Sequence, residues 1–158
     1  MTWSILADSS CDLSKDEFKD CEFHFASVPL KIRVGEKEYT DDESLDVNDM
    51  MGNMKSFKGP SSSACPSPEE WAEEFRKSDQ TIAVTMTSAL SGTFNSAVVA
   101  KKIVLEEFPK KRIHVIDSHS AAGGLVLILR KLAELISDGL NFDDVVDKTQ
   151  EYSRTRHL

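Results

Sequence analysis

Apolar stretches with strand character alternate along this chain with polar loops and longer runs of helical spacing, and that order limits the fold more than any other feature. Thr81 to Met86 is apolar and β-branched, Thr87 to Thr93 is polar, and a helical run then reaches about Phe108. Pro109-Lys110-Lys111 breaks it, and the order repeats: Arg112 to Ile116 as strand, Asp117 to Gly124 as loop, then a helix to Ser137-Asp138 before Gly139. Asn141, with Asp144 three residues on, caps a last helix. Strands joined by helices of this length cannot pair as hairpins. They form a mostly parallel sheet with helices on both faces, an α/β fold.

The first half supplies more of the same layer. Trp3 to Ala7 reads as a strand, ended by Asp8-Ser9-Ser10-Cys11-Asp12, and Ser14 with Glu17 has the spacing of a capping box. Phe25 to Val34 reads as one strand alternating at Val28, Leu30, Ile32 and Val34, and Gly35-Glu36 turns it into a hairpin ending at Tyr39. Asp46 caps a helix with the stripe Val47, Met50, Met51, Met54 and Phe57, closed by Gly59. Methionines at this spacing fill a core, although a flexible thioether wall also suits a greasy ligand. Gly59 to Pro66 reads as a serine-rich loop. Ser67, Pro68 and Glu70 then start a helix that carries Trp71 and Phe75 on one face. The 158 residues contain no repeat or internal linker and suit one domain of roughly 100–200 residues. Arg154-Thr155-Arg156-His157-Leu158 follows the last helix directly, which fits either a whole domain or the first part of a longer protein.

In a parallel sheet, ligands bind beyond the carboxyl ends of the strands. The loops 8–12, 87–93 and 117–124 belong at such ends, and segment 61–67 can join them. Together they hold 27 residues and ten of the chain's 19 serines. Serine is a common loop and cap residue, but concentration along one predicted edge favours a site. The sharpest segment is Thr87-Ser88-Ala89-Leu90-Ser91-Gly92-Thr93, between a strand and a helix. Free N–H groups at a helix start, a hydroxyl and a close-packing glycine make an anion cradle, or Ser91 simply caps its helix. The segment has no lysine or arginine and no G-x-x-x-x-G-K-[ST] motif, so a single carboxylate suits it better than phosphate.

Charge narrows the partners. The formal net charge is −8, with seven acids and one lysine in residues 36–49, a solvated surface. Nucleic acid and anionic membrane are therefore not expected partners. The longest apolar run, Gly123 to Leu129, is far shorter than the ~20 residues of a membrane span. The start meets Asp8 without a basic segment, so no signal peptide is expected. Three cysteines, Cys11, Cys21 and Cys65, without C-x-x-C spacing suit a reducing cytoplasm.

Catalytic readings are weaker. Ser91 lacks the flanking glycines of a hydrolase elbow, having Ala89 and Thr93 instead. Asp117 and His119, two apart, would point the same way in an extended segment and could serve Ser91, which makes a serine hydrolase the alternative. Asp8 and Asp12 fit loop capping better than a metal site. Cys65 sits near a helix start without a nearby histidine in sequence, and His24, His114 and His157 show no ligand spacing.

Taken together, these segments resemble the DegV family of bacterial fatty-acid-binding proteins, which includes acyl-carrying subunits of fatty acid kinases. Ile5-Leu6-Ala7-Asp8-Ser9-Ser10-Cys11-Asp12-Leu13 resembles the family's T-D-S-x-x-D-L, and Val28-Pro29-Leu30 with Tyr39-x-Asp41 its next block. Ser63-Ala64-Cys65-Pro66-Ser67-Pro68 is similar to T-S-x-P-S-P, and Thr87-Ser88-Ala89-Leu90-Ser91-Gly92-Thr93-Phe94-x-Ser96-Ala97 to S-S-x-L-S-G-T-Y-x-S-A. Val115-Ile116-Asp117-Ser118 is similar to V-I-D-S. The resemblance implies a long-chain fatty acid in a tunnel, its carboxylate held by the hydroxyls of Ser63 and Ser91. Asp8, Ser9, Ser88, Gly92, Thr93 and Ser118 would surround the head group. Ser63 stands for a threonine, Ala64 for a usual serine and Cys65 for a usual glutamine. The resemblance further implies that residues 1–158 are the N-terminal α/β domain of a two-domain protein, whose second domain closes the tunnel. No cofactor or catalytic residue is implied, and the partner is a fatty acid kinase catalytic subunit that phosphorylates the bound carboxylate.

Overall fold

The structure, a computed structural model, describes residues 1–120 and 123–155. Ala121 and Ala122 of the loop 117–124, and Arg156, His157 and Leu158, lie outside the described residues. In chain order the elements are β1 (Trp3–Asp8), β2 (His24–Val28), β3 (Lys31–Val34), β4 (Lys37–Thr40), α1 (Val47–Ser56), β5 (Ser62–Ala64), α2 (Pro68–Phe75), β6 (Gln80–Thr85), α3 (Thr93–Glu107), β7 (Arg112–Asp117), α4 (Gly123–Ser137) and α5 (Phe142–Thr155). The short turns Ser9–Cys11 and Lys15–Phe18 are 3-10 helices.

The main sheet is parallel, in the order β2-β1-β6-β7. Both faces are covered, so the central strands are buried almost throughout rather than on alternate residues. Ile5, Ala7, Ile82 and Val84 face α4 and α5, meeting Leu125, Ile128, Leu132 and Val145. Leu6, Ala83 and Val115 face α2 and α3. There Trp71 and Phe75 are fully buried with ring centroids 6.1 Å apart, and Ala97 and Ala100 let α3 lie close to the strands. The α2 start has the expected reciprocal cap: Ser67 Oγ accepts the Glu70 N–H at 3.2 Å, and Glu70 accepts the Ser67 N–H at 3.1 Å.

A second sheet, β4-β3-β5, is antiparallel and was not expected. Residues 25–34 are two strands in two sheets rather than one strand, because Pro29 has no N–H to continue a ladder. The next donor, Leu30 N–H, goes to Ser9 Oγ at 2.9 Å, and the chain leaves the main sheet there. The expected loop 59–66 contains β5, with Ser63 in register with Ile32 of β3. The Gly35-Glu36 turn is as expected, with Gly35 at φ 64°, a conformation that favours glycine. The Ser14 helix is only a 3-10 turn: Ser14 Oγ accepts the Asp16 N–H, while Glu17 pairs with Arg130 at 3.2 Å. Of the methionine stripe, Met50 is core with Val34 and Tyr39, whereas Val47, Met51 and Phe57 are exposed.

The direction of the connections defines a crevice. From β1 the chain passes to β2 on one side, and from β6 to β7 on the other, so the connections from the two central strands leave in opposite directions at their carboxyl ends. That is the switch point at which such sheets take ligands.

Phe75→Ala leaves a cavity in a fully buried cluster under α2. It should lower the unfolding free energy by about 3–5 kcal/mol, read as a shift of the urea midpoint.

Candidate functional site

Asp8 ends β1 at the crevice and is fully buried. Its Oδ2 accepts the Met86 N–H at 2.7 Å and its Oδ1 accepts the Ser10 N–H at 3.1 Å. The carboxylate therefore joins the end of β1 to the chain leaving β6. Ser9 is also buried and holds Leu30. Both residues hold the crevice together from within.

The loop after β7 is tied to the loop after β6 in the same way. Ser118 is fully buried; its N–H reaches Thr85 O at 3.1 Å and its hydroxyl donates to Ser120 O at 3.0 Å. Ser120 O also accepts the Thr87 N–H at 2.8 Å. The Asp117 carboxylate accepts the Ser88 N–H at 3.3 Å to each oxygen and the His119 N–H at 2.9 Å. Burial works against the charged form of Asp117, but the Ser88 hydroxyl and then the His119 and Ser88 N–H groups outweigh it and hold the carboxyl below its ordinary range. His119 takes the left-handed conformation at φ 52°, with Nδ1 3.8 Å from Asp117 Oδ1.

Ser91 is half-buried, and its Oγ accepts the Thr93 N–H at 3.2 Å. Ser91 is not the N-cap of α3. Gly92 is, and no side-chain cap bond closes this helix start. The starts of α1, α2 and α5 each have a side-chain acceptor, from Asp46, Ser67 and Asn141. Beyond the Thr93 N–H held by Ser91, the α3 start receives no side-chain cap among the described residues and presents the positive end of a 15-residue helix. Thr93, the first helical residue, is fully buried, and its hydroxyl has no partner among the described residues; Thr85, at the end of β6, is in the same state.

The strand β5 is brought to this helix start through Cys65. Its Sγ lies 3.7 Å from Ser96 Oγ on α3, and a methyl group on Gly92 would sit 3.6 Å from the same sulfur. Ser63, two residues earlier, is exposed and shares the sheet face of Ile32, which packs with α1 through Met50 and Met54. Ser88 is exposed on the same loop as Ser91. The anticipated residues therefore divide: Asp8, Ser9 and Ser118 are internal ties, Ser88, Ser91 and Gly92 lie in the loop that leads into α3, Thr93 is its buried first residue, and Ser63 is exposed on β5 two residues before Cys65. Thr85 carries no local sequence signal for this place, and Ser96, though part of the Thr87–Ala97 block, is not singled out there as a site residue. Their position follows from the pairing of β6 and the seating of Cys65.

The hydrolase alternative needs a base that accepts the Ser91 O–H; among the described residues Ser91 Oγ accepts the Thr93 N–H, and His119 Nδ1 lies 3.8 Å from Asp117 Oδ1. His114 meets Gln150 at 2.9 Å, and burial lowers its pKa. Among the described residues, no group of three or more His, Cys, Asp or Glu is arranged to hold a metal, and no helix is long and apolar enough to cross a membrane.

Residues 2–158 match the sequence model of the DegV family, described as "Uncharacterised protein, DegV family". A DegV domain-containing protein of Streptococcus gordonii is 44% identical over 159 residues, which is 100% of this chain and 57% of that protein. The chain thus spans a little over half the length of the curated relatives it matches. Among solved structures, the Streptococcus pneumoniae fatty acid kinase B3 protein loaded with linoleic acid has a TM-score of 0.90 at 42% identity, over 98% of this chain and 55% of that one. A DegV family protein from Eubacterium eligens loaded with heptadecanoic acid has a TM-score of 0.90 at 34% identity, over 97% and 54%.

A carboxylate with a lowered pKa contributes stability that is complete above the unfolded-state value and is lost as pH falls through the folded one. The tie between Asp117 and Ser88 should therefore survive below pH ~3.9, the ordinary aspartate midpoint. The Ser88 and His119 amide shifts, followed by NMR during acidification, should move with a midpoint under that value. In Asp117→Asn the transition should vanish.

Proposed function

The chain belongs to the DegV family, and we propose that it forms the head-group-binding part of a fatty-acid-binding protein. The observation that carries this reading is the uncapped start of α3, bordered by Ser91 and by the strand that bears Ser63. Its remaining N–H groups and helix dipole suit an anion, and neutral hydroxyls beside them suit a single carboxylate. No lysine or arginine occurs in residues 87–93, which disfavours a multiply charged phosphate. Ser63 and Ser91 are the hydroxyls assigned to the carboxylate. Ile32, Met50 and Met54 provide apolar surface on the Ser63 side for the start of the acyl chain.

Affinity then divides between two parts of the ligand. A buried tail of about 14 methylenes at about 0.8 kcal/mol each supplies most of it. The head group supplies orientation. We further infer that the full-length protein, in the cytoplasm, presents this carboxylate to a kinase catalytic subunit that phosphorylates it. The likeness to a fatty acid kinase B3 protein supports this second part. The chain itself binds and orients; the engagement of Ser91 by a backbone N–H is consistent with a hydroxyl that donates to ligand rather than attacks it. The three cysteines are free, which suits a reducing compartment.

In the full-length protein, Ser63→Ala and Ser91→Ala should each lose a hydrogen bond to a charged group, about 1.5–3 kcal/mol. Fatty-acid affinity should fall roughly 10- to 150-fold by titration with a fluorescent fatty acid. Native mass spectrometry of the unmutated full-length protein should find a co-purified fatty acid. Unchanged affinity in both variants would remove the carboxylate assignment, and Ser91-dependent ester hydrolysis would favour the hydrolase instead.

A further inference from the structure

The loop that carries Ser91 has little packing to hold it. Residues 86–92, between β6 and α3, are each half-buried or exposed, and Leu90 is 72% exposed, whereas Thr85 and Thr93 on either side are fully buried. Hydrogen bonds therefore set its path. Three consecutive N–H groups go to other parts of the chain: Met86 to Asp8 Oδ2 at 2.7 Å, Thr87 to Ser120 O at 2.8 Å, and Ser88 to the two oxygens of Asp117 at 3.3 Å each. The next two, of Ala89 and Leu90, return to Thr87 itself. Among these backbone bonds, the one to Asp117 is the last that fixes the loop from outside before Ser91.

The sheet places Asp117 for this. Ile113 and Val115 pack in the cluster under α2 and α3, and alternation along β7 puts Asp117 on the same face, with its side chain only 11% exposed. A carboxylate accepts N–H groups more strongly than a neutral oxygen does. Two residues on, His119 donates its N–H to Asp117 Oδ1 at 2.9 Å and takes the left-handed conformation at φ 52°. A residue other than glycine keeps such a backbone only where its surroundings over-determine it, and these places concentrate at functional sites. A negative charge three residues from a hydroxyl that meets a carboxylate also needs a use that offsets its repulsion of that ligand.

We propose that Asp117 is a positioning residue of the carboxylate site, which sets the place of Ser91 and of the α3 start by holding Ser88. This rests on the fatty-acid reading and deepens it: Ser91 meets the head group, and Asp117 acts through the loop rather than on the ligand. A shift of about 1 Å in a hydrogen-bonding group is enough to weaken its bond severely, since distance and angle both enter. The tie therefore governs recognition of the carboxylate and leaves the acyl tail, held by apolar surface, unaffected. A role for Asp117 as a base on Ser91 is disfavoured, because both of its oxygens face the Ser88 N–H and Oδ1 also takes that of His119.

The test compares oleic acid with oleyl alcohol, which has the same tail and no carboxylate, by titration calorimetry on full-length protein. The unmutated protein should prefer the acid. Asp117→Ala should reduce that preference by about tenfold while the affinity for the alcohol stays as it was. Asp117→Asn keeps one acceptor oxygen and should show a smaller loss of the same kind, and it carries the test alone should the alanine variant fail to fold. Hydrogen exchange at the Ser88 amide should quicken in both. An unchanged preference for the acid would overturn the proposal, and so would equal weakening of acid and alcohol, which marks a purely structural tie. Tighter binding of the acid in both variants would overturn it too, since charge repulsion would then outweigh positioning. A protein that binds the alcohol as tightly as the acid before any substitution would instead remove the head-group reading, and this proposal with it.

Discussion

One buried carboxylate fixes the geometry at the centre of this molecule. Asp8 is fully enclosed, and both of its oxygens receive backbone N–H groups, from Met86 and from Ser10. A buried charge is tolerable only when its acceptors are filled. The two loops that diverge at the switch point therefore leave from positions set by one side chain. Ser9 then fixes Leu30, and Thr85 O fixes Ser118, so the neighbouring connections take their starting points from the same place. A crevice between connections that leave in opposite directions would otherwise be loosely held. Here hydrogen bonds hold it.

Serine does two different jobs around that crevice, and burial separates them. Ser9 and Ser118 are inside and satisfy backbone groups, as a buried loop requires. Ser63 and Ser88 are outside, and Ser91 is between. The helix starts divide in the same way. Asp46, Ser67 and Asn141 close α1, α2 and α5, whereas α3 forgoes a stabilising cap of about 1 kcal/mol and presents its positive end. Stability is conceded at one helix end, and the loop leading into that end carries Ser88 and Ser91.

Much of the doubly covered sheet was legible in the sequence because its signals are local. The apolar runs at Thr81 and Arg112, the Ser67-Pro68-x-Glu70 start and the Asn141 cap each specify their element within a few residues. The β3–β4 hairpin was legible from its Gly35-Glu36 turn, but its separation from the main sheet and its third strand β5 were not, because β5 depends on a partner distant in the chain. Ser62–Ala64 has no strand-forming side chain, and only pairing with β3 makes it a strand. Pro29 splits what alternation reads as one strand, since Val28 and Ile32 look alike to a period-two pattern. The serine-rich loops identified the edge of the sheet that matters. They could not distinguish a hydroxyl that braces the backbone from one that faces outward, because that depends on which loop covers which.

The central position of β1 has a consequence for how the protein is made. Thr2 and Asp79, which bond at one end of the β1–β6 pair, are 77 residues apart, and the stacked rings of Trp3 and Phe142 link β1 to the last helix. During synthesis β1 leaves the ribosome long before its inner neighbour β6. Until β6 emerges, Ile5, Leu6 and Ala7 have β2 on one side, and only the Cys11–Phe25 segment and α2 to cover their faces. Folding of the main sheet is thus a late event in translation, slow in the manner of non-local parallel pairings, and the nascent N-terminal third depends on chaperones or on speed to avoid aggregation.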